Sequence, residues 1–166
     1  MKTRQGLIRR LYANALVVFL LAGCSSKTVT TPSSLGSMSA TVGGAAFNAV
    51  QVDGIYSQSL HLMGVFGIAV KGNDSTKLIL EFPYLPAVGH TFSSDSTETS
   101  LSFFTGGKEY DAFSNSGRVL LTLSAADTVK DIFTGTFSAT VYNQLNFLDS
   151  LVITNGKFNS MYSVHP

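Results

Sequence analysis

Apolar and polar positions alternate along most of the chain after residue 38. The clearest case is FTGTFSATVY at 133–142, in which Phe, Gly, Ala and Val alternate with Thr and Ser. A period of two with one polar face is typical of a half-buried strand in an antiparallel sheet. TKLILEF at 76–82 alternates in the same way, and SLHLMGVFGIAV at 59–70, apolar on both faces, predicts a central strand covered on two sides.

Turn chemistry separates these stretches at short intervals. Asn155-Gly156 is the strongest short hairpin signal, and it predicts a tight turn between the last two strands of the sheet. No segment of 38–166 keeps a helical apolar period over three turns. We therefore predict an all-β domain, an antiparallel β-sandwich of about nine strands, with a closed lipocalin-like β-barrel as the alternative.

The first 23 residues have a different pattern. MKTRQGLIRR carries four basic residues and no acid, and twelve mostly apolar residues follow at 11–22. A helix of that length rises about 18 Å, whereas the hydrocarbon core of a bilayer is about 30 Å thick. A basic head before a short apolar core predicts a cleaved signal-peptide helix over 1–23.

The apolar segment ends in a motif that indicates lipid attachment. Leu21, Ala22, Gly23 and Cys24 resemble the bacterial lipobox, in which a signal peptidase recognises the three residues before the cysteine. The resemblance implies that the Cys24 thiol carries a diacylglycerol and that its new amino group is acylated. Two or three acyl chains would hold the protein at a membrane, since one chain alone binds only marginally.

The mature chain then divides into a tether and one domain. Eight of the thirteen residues at 25–37 are Ser or Thr, so this stretch buries too little apolar surface to fold. We predict a lipidated cysteine and flexible tether over 24–37 and a single all-β domain over 38–166. Four of the eleven basic residues precede Cys24 and all ten acids follow it. The mature charge of about −3 does not favour nucleic acid as a partner.

The sequence offers no recognisable catalytic or metal-binding motif. His61, His90 and His165 lack ligand spacing, and Cys24 is the one cysteine. Glu109 and Asp111 share a strand face, a pattern more typical of a solvated sheet edge than of a catalytic pair. We therefore predict no catalytic residue, no metal site and no cofactor, and interpret the protein as a non-enzyme.

Several stretches resemble a family of uncharacterised Bacteroidota lipoproteins with a small β-rich domain of unknown function. They are MSATVGGAAFNA, AVGHTF, GTFSATV and ITNGKFNSMYS. The resemblance implies a cell-envelope location and carries over no active site. In such bacteria, acids directly after the lipidated cysteine favour outward display, and SSKTVTTPSS has none. A periplasm-facing position at the outer membrane is therefore expected.

Two functional classes remain open. The first is a non-catalytic binding or accessory module of the envelope, which binds the membrane through Cys24 and has an envelope protein as its candidate partner. The second is a carrier of a small hydrophobic ligand, which would need an enclosed apolar cavity. A solid core with an exposed apolar patch would favour the binding module. A hydrolase is the weakest alternative.

Overall fold

A computed structural model describes residues 36–72, 74–84, 87–95, 99–112 and 117–166. The predicted leader, Cys24 and nearly all of the predicted tether therefore lie outside the described residues. No described residue is helical, and the all-β, sandwich-like fold is confirmed. No helix in this part of the chain is long and apolar enough to cross a membrane.

The described residues form eleven strands, two more than the sequence pattern suggested. The strands are β1 (Ser37–Val42), β2 (Ala45–Asn48), β3 (Gln51–Ser57), β4 (Leu62–Lys71), β5 (Asp74–Pro83), β6 (Thr91–Ser93), β7 (Ser100–Thr105), β8 (Lys108–Ala112), β9 (Gly117–Asp127), β10 (Ile132–Asn143) and β11 (Asn146–His165). The first of them begins at Ser37, one residue before the predicted start of the domain.

All the strands belong to one mixed sheet. Its order is β2-β1-β11-β3-β4-β5-β7-β8-β10-β9-β6, and β10 also pairs with β11. Every pairing is antiparallel except that of β3 with the end of β11, where Gly54 lies opposite Tyr162. The antiparallel prediction therefore fails at this pair. The long strand β11 pairs with three strands, β10, β1 and β3.

The local sequence explains the tight connections. Gly43 and Gly44 join β1 to β2 with φ of 55° and 83°, and Gly106 and Gly107 join β7 to β8 with φ of 54° and 74°. Two successive residues at positive φ define the type I′ turn, whose twist matches that of paired strands. Glycine adopts these angles without a steric penalty, so each pair forms a tight hairpin.

Asn155 and Gly156 do not form the predicted hairpin. Both lie inside β11, and Gly156 is opposite Phe137 of β10. Between the pairs Phe137–Gly156 and Ala139–Ile153, β11 has one residue more than β10. Asn155 has a φ of 53°, so the left-handed residue produces a β-bulge instead of a turn. The final two predicted strands are a single strand of 20 residues.

The interior is filled by aromatic and aliphatic side chains. On β10 the inward positions are buried in alternation, as the period-two pattern predicts. The ring of Phe82 lies 5.6 Å from Phe92, 6.3 Å from Phe133 and 6.2 Å from Phe158, measured between ring centroids. These four rings are at most 2% exposed. Ring centroids this close are in contact, so the centre of the domain is a packed core.

Candidate binding surface

The loop between β10 and β11 is held by two asparagine side chains. Asn143 Oδ1 accepts a hydrogen bond from the backbone N–H of Leu145 at 2.9 Å, and Asn146 Oδ1 accepts one from Leu148 at 3.2 Å. Asparagine commonly forms such bonds to the backbone two residues ahead and thereby fixes a turn. The backbone N–H of Gln144 donates to the carbonyl oxygen of Glu109 on β8 at 3.1 Å. We call residues 144–148 the hairpin tip.

A single carboxylate fixes the base of the hairpin tip. Asp149 Oδ2 accepts hydrogen bonds from Lys108 Nζ at 3.0 Å, Tyr110 OH at 3.0 Å and Asn143 Nδ2 at 3.1 Å. The bond from Lys108 and then that from Tyr110 lower the pKa of the Asp149 carboxyl. Because the ionised form is the bonded one, its stabilising effect persists above the ordinary pKa and is lost as acid protonates the group.

Three apolar side chains of the hairpin tip are exposed to water. Leu145 is 98% exposed, Leu148 is 96% exposed and Phe147 is 61% exposed. Fully burying one such side chain against a partner is favourable by about 1.5–3 kcal/mol. Other large exposed apolar residues, such as Val129 and Val88, lie in separate loops. The hairpin tip thus concentrates apolar surface that a partner could cover, and its hydrogen bonds hold that surface in place before binding.

Acidic side chains lie beside the hairpin tip on β8. Gln144 Nε2 donates a hydrogen bond to Asp111 Oδ2, and Asp111 Oδ1 is buried without a hydrogen-bond partner in the described part of the molecule. Burial, and then the charge of Asp111, raise the pKa of the Glu109 carboxyl. The predicted edge location of this pair is wrong, since β8 has β7 and β10 as neighbours.

A third carboxylate, that of Glu81 on β5, lies close enough to Asp111 to be affected by its charge. Glu81 Oε2 accepts a hydrogen bond from Ser100 Oγ at 3.0 Å. Burial raises the pKa of the Glu81 carboxyl, the bond from Ser100 opposes the rise, and the charge of Asp111 adds to it. The fold therefore disfavours ionised Glu81, and its ionisation reduces stability as the pH rises above the ordinary pKa of the group.

A cluster of three tyrosines, Tyr56, Tyr84 and Tyr162, packs together in a different part of the interior. The rings of Tyr56 and Tyr84 stack at 3.9 Å, and the hydroxyls of Tyr84 and Tyr162 are 3.2 Å apart. Burial and the contact with Tyr84 raise the pKa of the Tyr162 phenol. A phenol that holds its proton this firmly is a poor general base at neutral pH. The cluster is therefore better suited to packing than to acid–base catalysis.

The histidines lie apart from the hairpin tip. His61 lies in the turn before β4, with a φ of 52°, and not within the strand as the apolar pattern suggested. His90 packs its ring edge-on against Phe92 at 4.6 Å, and His165 ends β11. No group of three or more metal-binding side chains occurs among the described residues.

Comparisons with protein-family models, with curated proteins and with solved structures gave no match to this chain. The resemblance to the Bacteroidota lipoproteins therefore stays a prediction from sequence.

Proposed function

We propose that the protein is a non-catalytic binding module of the bacterial cell envelope, anchored to a membrane through lipidated Cys24. Leu21, Ala22 and Gly23 serve as the recognition sequence of the signal peptidase. The favoured location is the periplasm-facing side of the outer membrane. The hairpin tip contacts an envelope protein, and the anchor keeps the domain near that partner.

The observation that carries this proposal is the exposed apolar hairpin tip on a domain with a packed core. Leu145 and Leu148 are almost fully exposed, while Phe82 and its neighbouring rings are buried. Large apolar side chains grouped in water at one loop favour an interaction site. A carrier of hydrophobic ligands would need interior space, and the contacts among Phe82, Phe92, Phe133 and Phe158 do not favour it.

Both halves of the proposal are testable in the cells that make the protein. Cys24→Ala should abolish labelling with radioactive palmitate and leave an uncleaved or wrongly cleaved precursor, because the acyl acceptor is gone. Normal labelling of this variant would contradict the anchor.

The contact through the hairpin tip is tested by the double variant Leu145→Ser/Leu148→Ser. Quantitative mass spectrometry should show at least tenfold less of a co-purifying envelope protein with this variant than with the wild type.

The matched control for the contact is Val129→Ser. Val129 is 92% exposed but lies in the turn between β9 and β10, away from the hairpin tip in sequence. Val129→Ser also replaces an almost fully exposed apolar side chain by serine, one where the double variant replaces two, and it should leave the amount of co-purifying protein unchanged. Equal recovery from the wild type and both variants would refute the contact through the hairpin tip.

A further inference from the structure

Asn155 lies in the bulge of β11 and pairs with neither of the strands that flank it. The residue before it, Thr154, is opposite Thr41 of β1, and the residue after it, Gly156, is opposite Phe137 of β10. Asn155 itself has a φ of 53° and an exposed side chain. The peptide units on its two sides are therefore held by two different strands.

An asparagine that precedes a glycine is prone to a reaction of the chain with itself, and asparagine is among the thermolabile residues. The backbone nitrogen of Gly156 attacks Cγ of Asn155, and glycine has no side chain to hinder this approach. The N–Cγ bond forms, the Cγ–Nδ2 bond breaks, and the amide proton of Gly156 leaves with the side-chain nitrogen as ammonia. Water then opens the cyclic imide to aspartate or to isoaspartate.

The closed bulge opposes the first step of this reaction. For the ring to form, the peptide unit between Asn155 and Gly156 must rotate until its nitrogen faces the side-chain carbonyl carbon. A Cβ atom on Gly156 would lie only 2.5 Å from the carbonyl oxygen of Phe137, so little space surrounds this peptide unit. Rotation therefore requires β11 to separate locally from β10, as in the partial opening of a native domain.

The two products differ in what they do to the strand. Aspartate keeps the main chain unchanged, and it tolerates positive φ nearly as asparagine does. In isoaspartate the main chain runs through Cβ and Cγ, which adds one atom to it directly before Gly156. The extra atom displaces the residues that follow, including Phe158, which is 2% exposed and whose ring lies 6.2 Å from that of Phe82.

We infer that Asn155 is a site of spontaneous deamidation that the closed bulge protects, and that isoaspartate formed there in an opened chain prevents β11 from closing again. The modification thus marks chains that have opened and keeps them open. It is independent of the proposed function, because it concerns only β11 and the strands that pair with it.

Deamidation of the purified full chain at mildly alkaline pH tests the protection. We expect aspartate and isoaspartate to form at position 155 at least tenfold more slowly in the folded chain than in guanidinium chloride, as measured by mass spectrometry of tryptic peptides. Asn159 is the internal control, since it is exposed on the same strand but precedes serine, and it should react slowly in both states. A synthetic peptide of residues 150–158 should react equally with and without the denaturant. Equal rates at Asn155 in the folded and unfolded chains would overturn the protection.

Refolding of the aged chains tests the effect of isoaspartate. After removal of the denaturant, size-exclusion chromatography separates folded from unfolded chains, and isoaspartate at 155 should be at least fivefold depleted in the folded fraction. Asn155→Asp is the matched control, because it adds the charge without lengthening the main chain, and it should fold with nearly the urea midpoint of the wild type. Isoaspartate chains that refold as fully as unmodified chains would overturn the block to closure. Failure of Asn155→Asp to fold would overturn its attribution to the added main-chain atom.

Discussion

Phe82→Ala is expected to lower the free energy of unfolding by about 3–5 kcal/mol, the range for removing a buried phenylalanine ring. Phe82 is fully buried, and its ring contacts those of Phe92, Phe133 and Phe158 within 6.3 Å. The substitution removes the ring at the centre of this set and leaves a cavity. Domains of this size are stable by about 5–15 kcal/mol, so the loss would be a large share of the total.

Urea unfolding followed by circular dichroism measures this change, and Phe147→Ala is its control. Phe147 is the phenylalanine of the hairpin tip and is 61% exposed. Its replacement should change the free energy of unfolding by less than about 0.5 kcal/mol, as is usual for a surface site. Similar losses in the two variants would mean that the core is not packed around Phe82, and a carrier cavity would regain support.

Gly156→Ala is expected to cost about 1–3 kcal/mol or more, the range for adding a methyl group to a filled site. A Cβ atom at Gly156 would lie 2.5 Å from Phe137 Cδ2 and 2.5 Å from the carbonyl oxygen of Phe137. The oxygen belongs to the paired strand β10 and cannot move without disturbing the sheet. Only glycine therefore fits at this position of the bulge.

Lys157→Ala on the same strand is the control for Gly156→Ala. Lys157 is exposed, and its replacement should leave the urea midpoint almost unchanged. If Gly156→Ala is as stable as Lys157→Ala, the close approach of Phe137 to Gly156 is absent. The assignment of Asn155-Gly156 to a bulge within β11 would then be wrong.

The regular strands could be predicted from sequence because their faces differ in environment. In β10, Phe133 and Phe137 face the core while Thr134 and Thr136 lie on the opposite face, so the period of two appears directly in the residues. The Gly43-Gly44 turn was equally accessible, since its backbone angles require glycine. Local chemistry and burial point to the same structure at these positions.

The conformation of Asn155-Gly156 could not be predicted from these two residues alone. Asparagine at positive φ followed by glycine fits both a type I′ turn and a β-bulge. The difference comes from the neighbours, since β10 and β1 pair with β11 on both sides of the bulge. Likewise, the parallel pairing of β3 with β11 joins segments that are distant in sequence, so no local sequence pattern predicts it.

The hairpin tip was missed because apolar residues usually indicate burial. LNFLDSLV at 145–152 resembles an inward-facing strand when read alone. Two signals could have identified it: Leu145, Phe147 and Leu148 break the period of two, and asparagine at 143 and 146 favours a turn. That these side chains remain in water is seen only in the structure, where all three are exposed.

Thiol protection in living cells tests the central claim, that a partner covers the hairpin tip, most directly. Cys24 is the one cysteine of the chain and is acylated in this account, so Leu148→Cys and Val129→Cys would each introduce one free thiol. Both side chains are more than 90% exposed. Labelling with N-ethylmaleimide should be at least fivefold slower at 148 in intact cells than in the purified protein, and equal at 129. Equal labelling of 148 in the two settings would contradict the account.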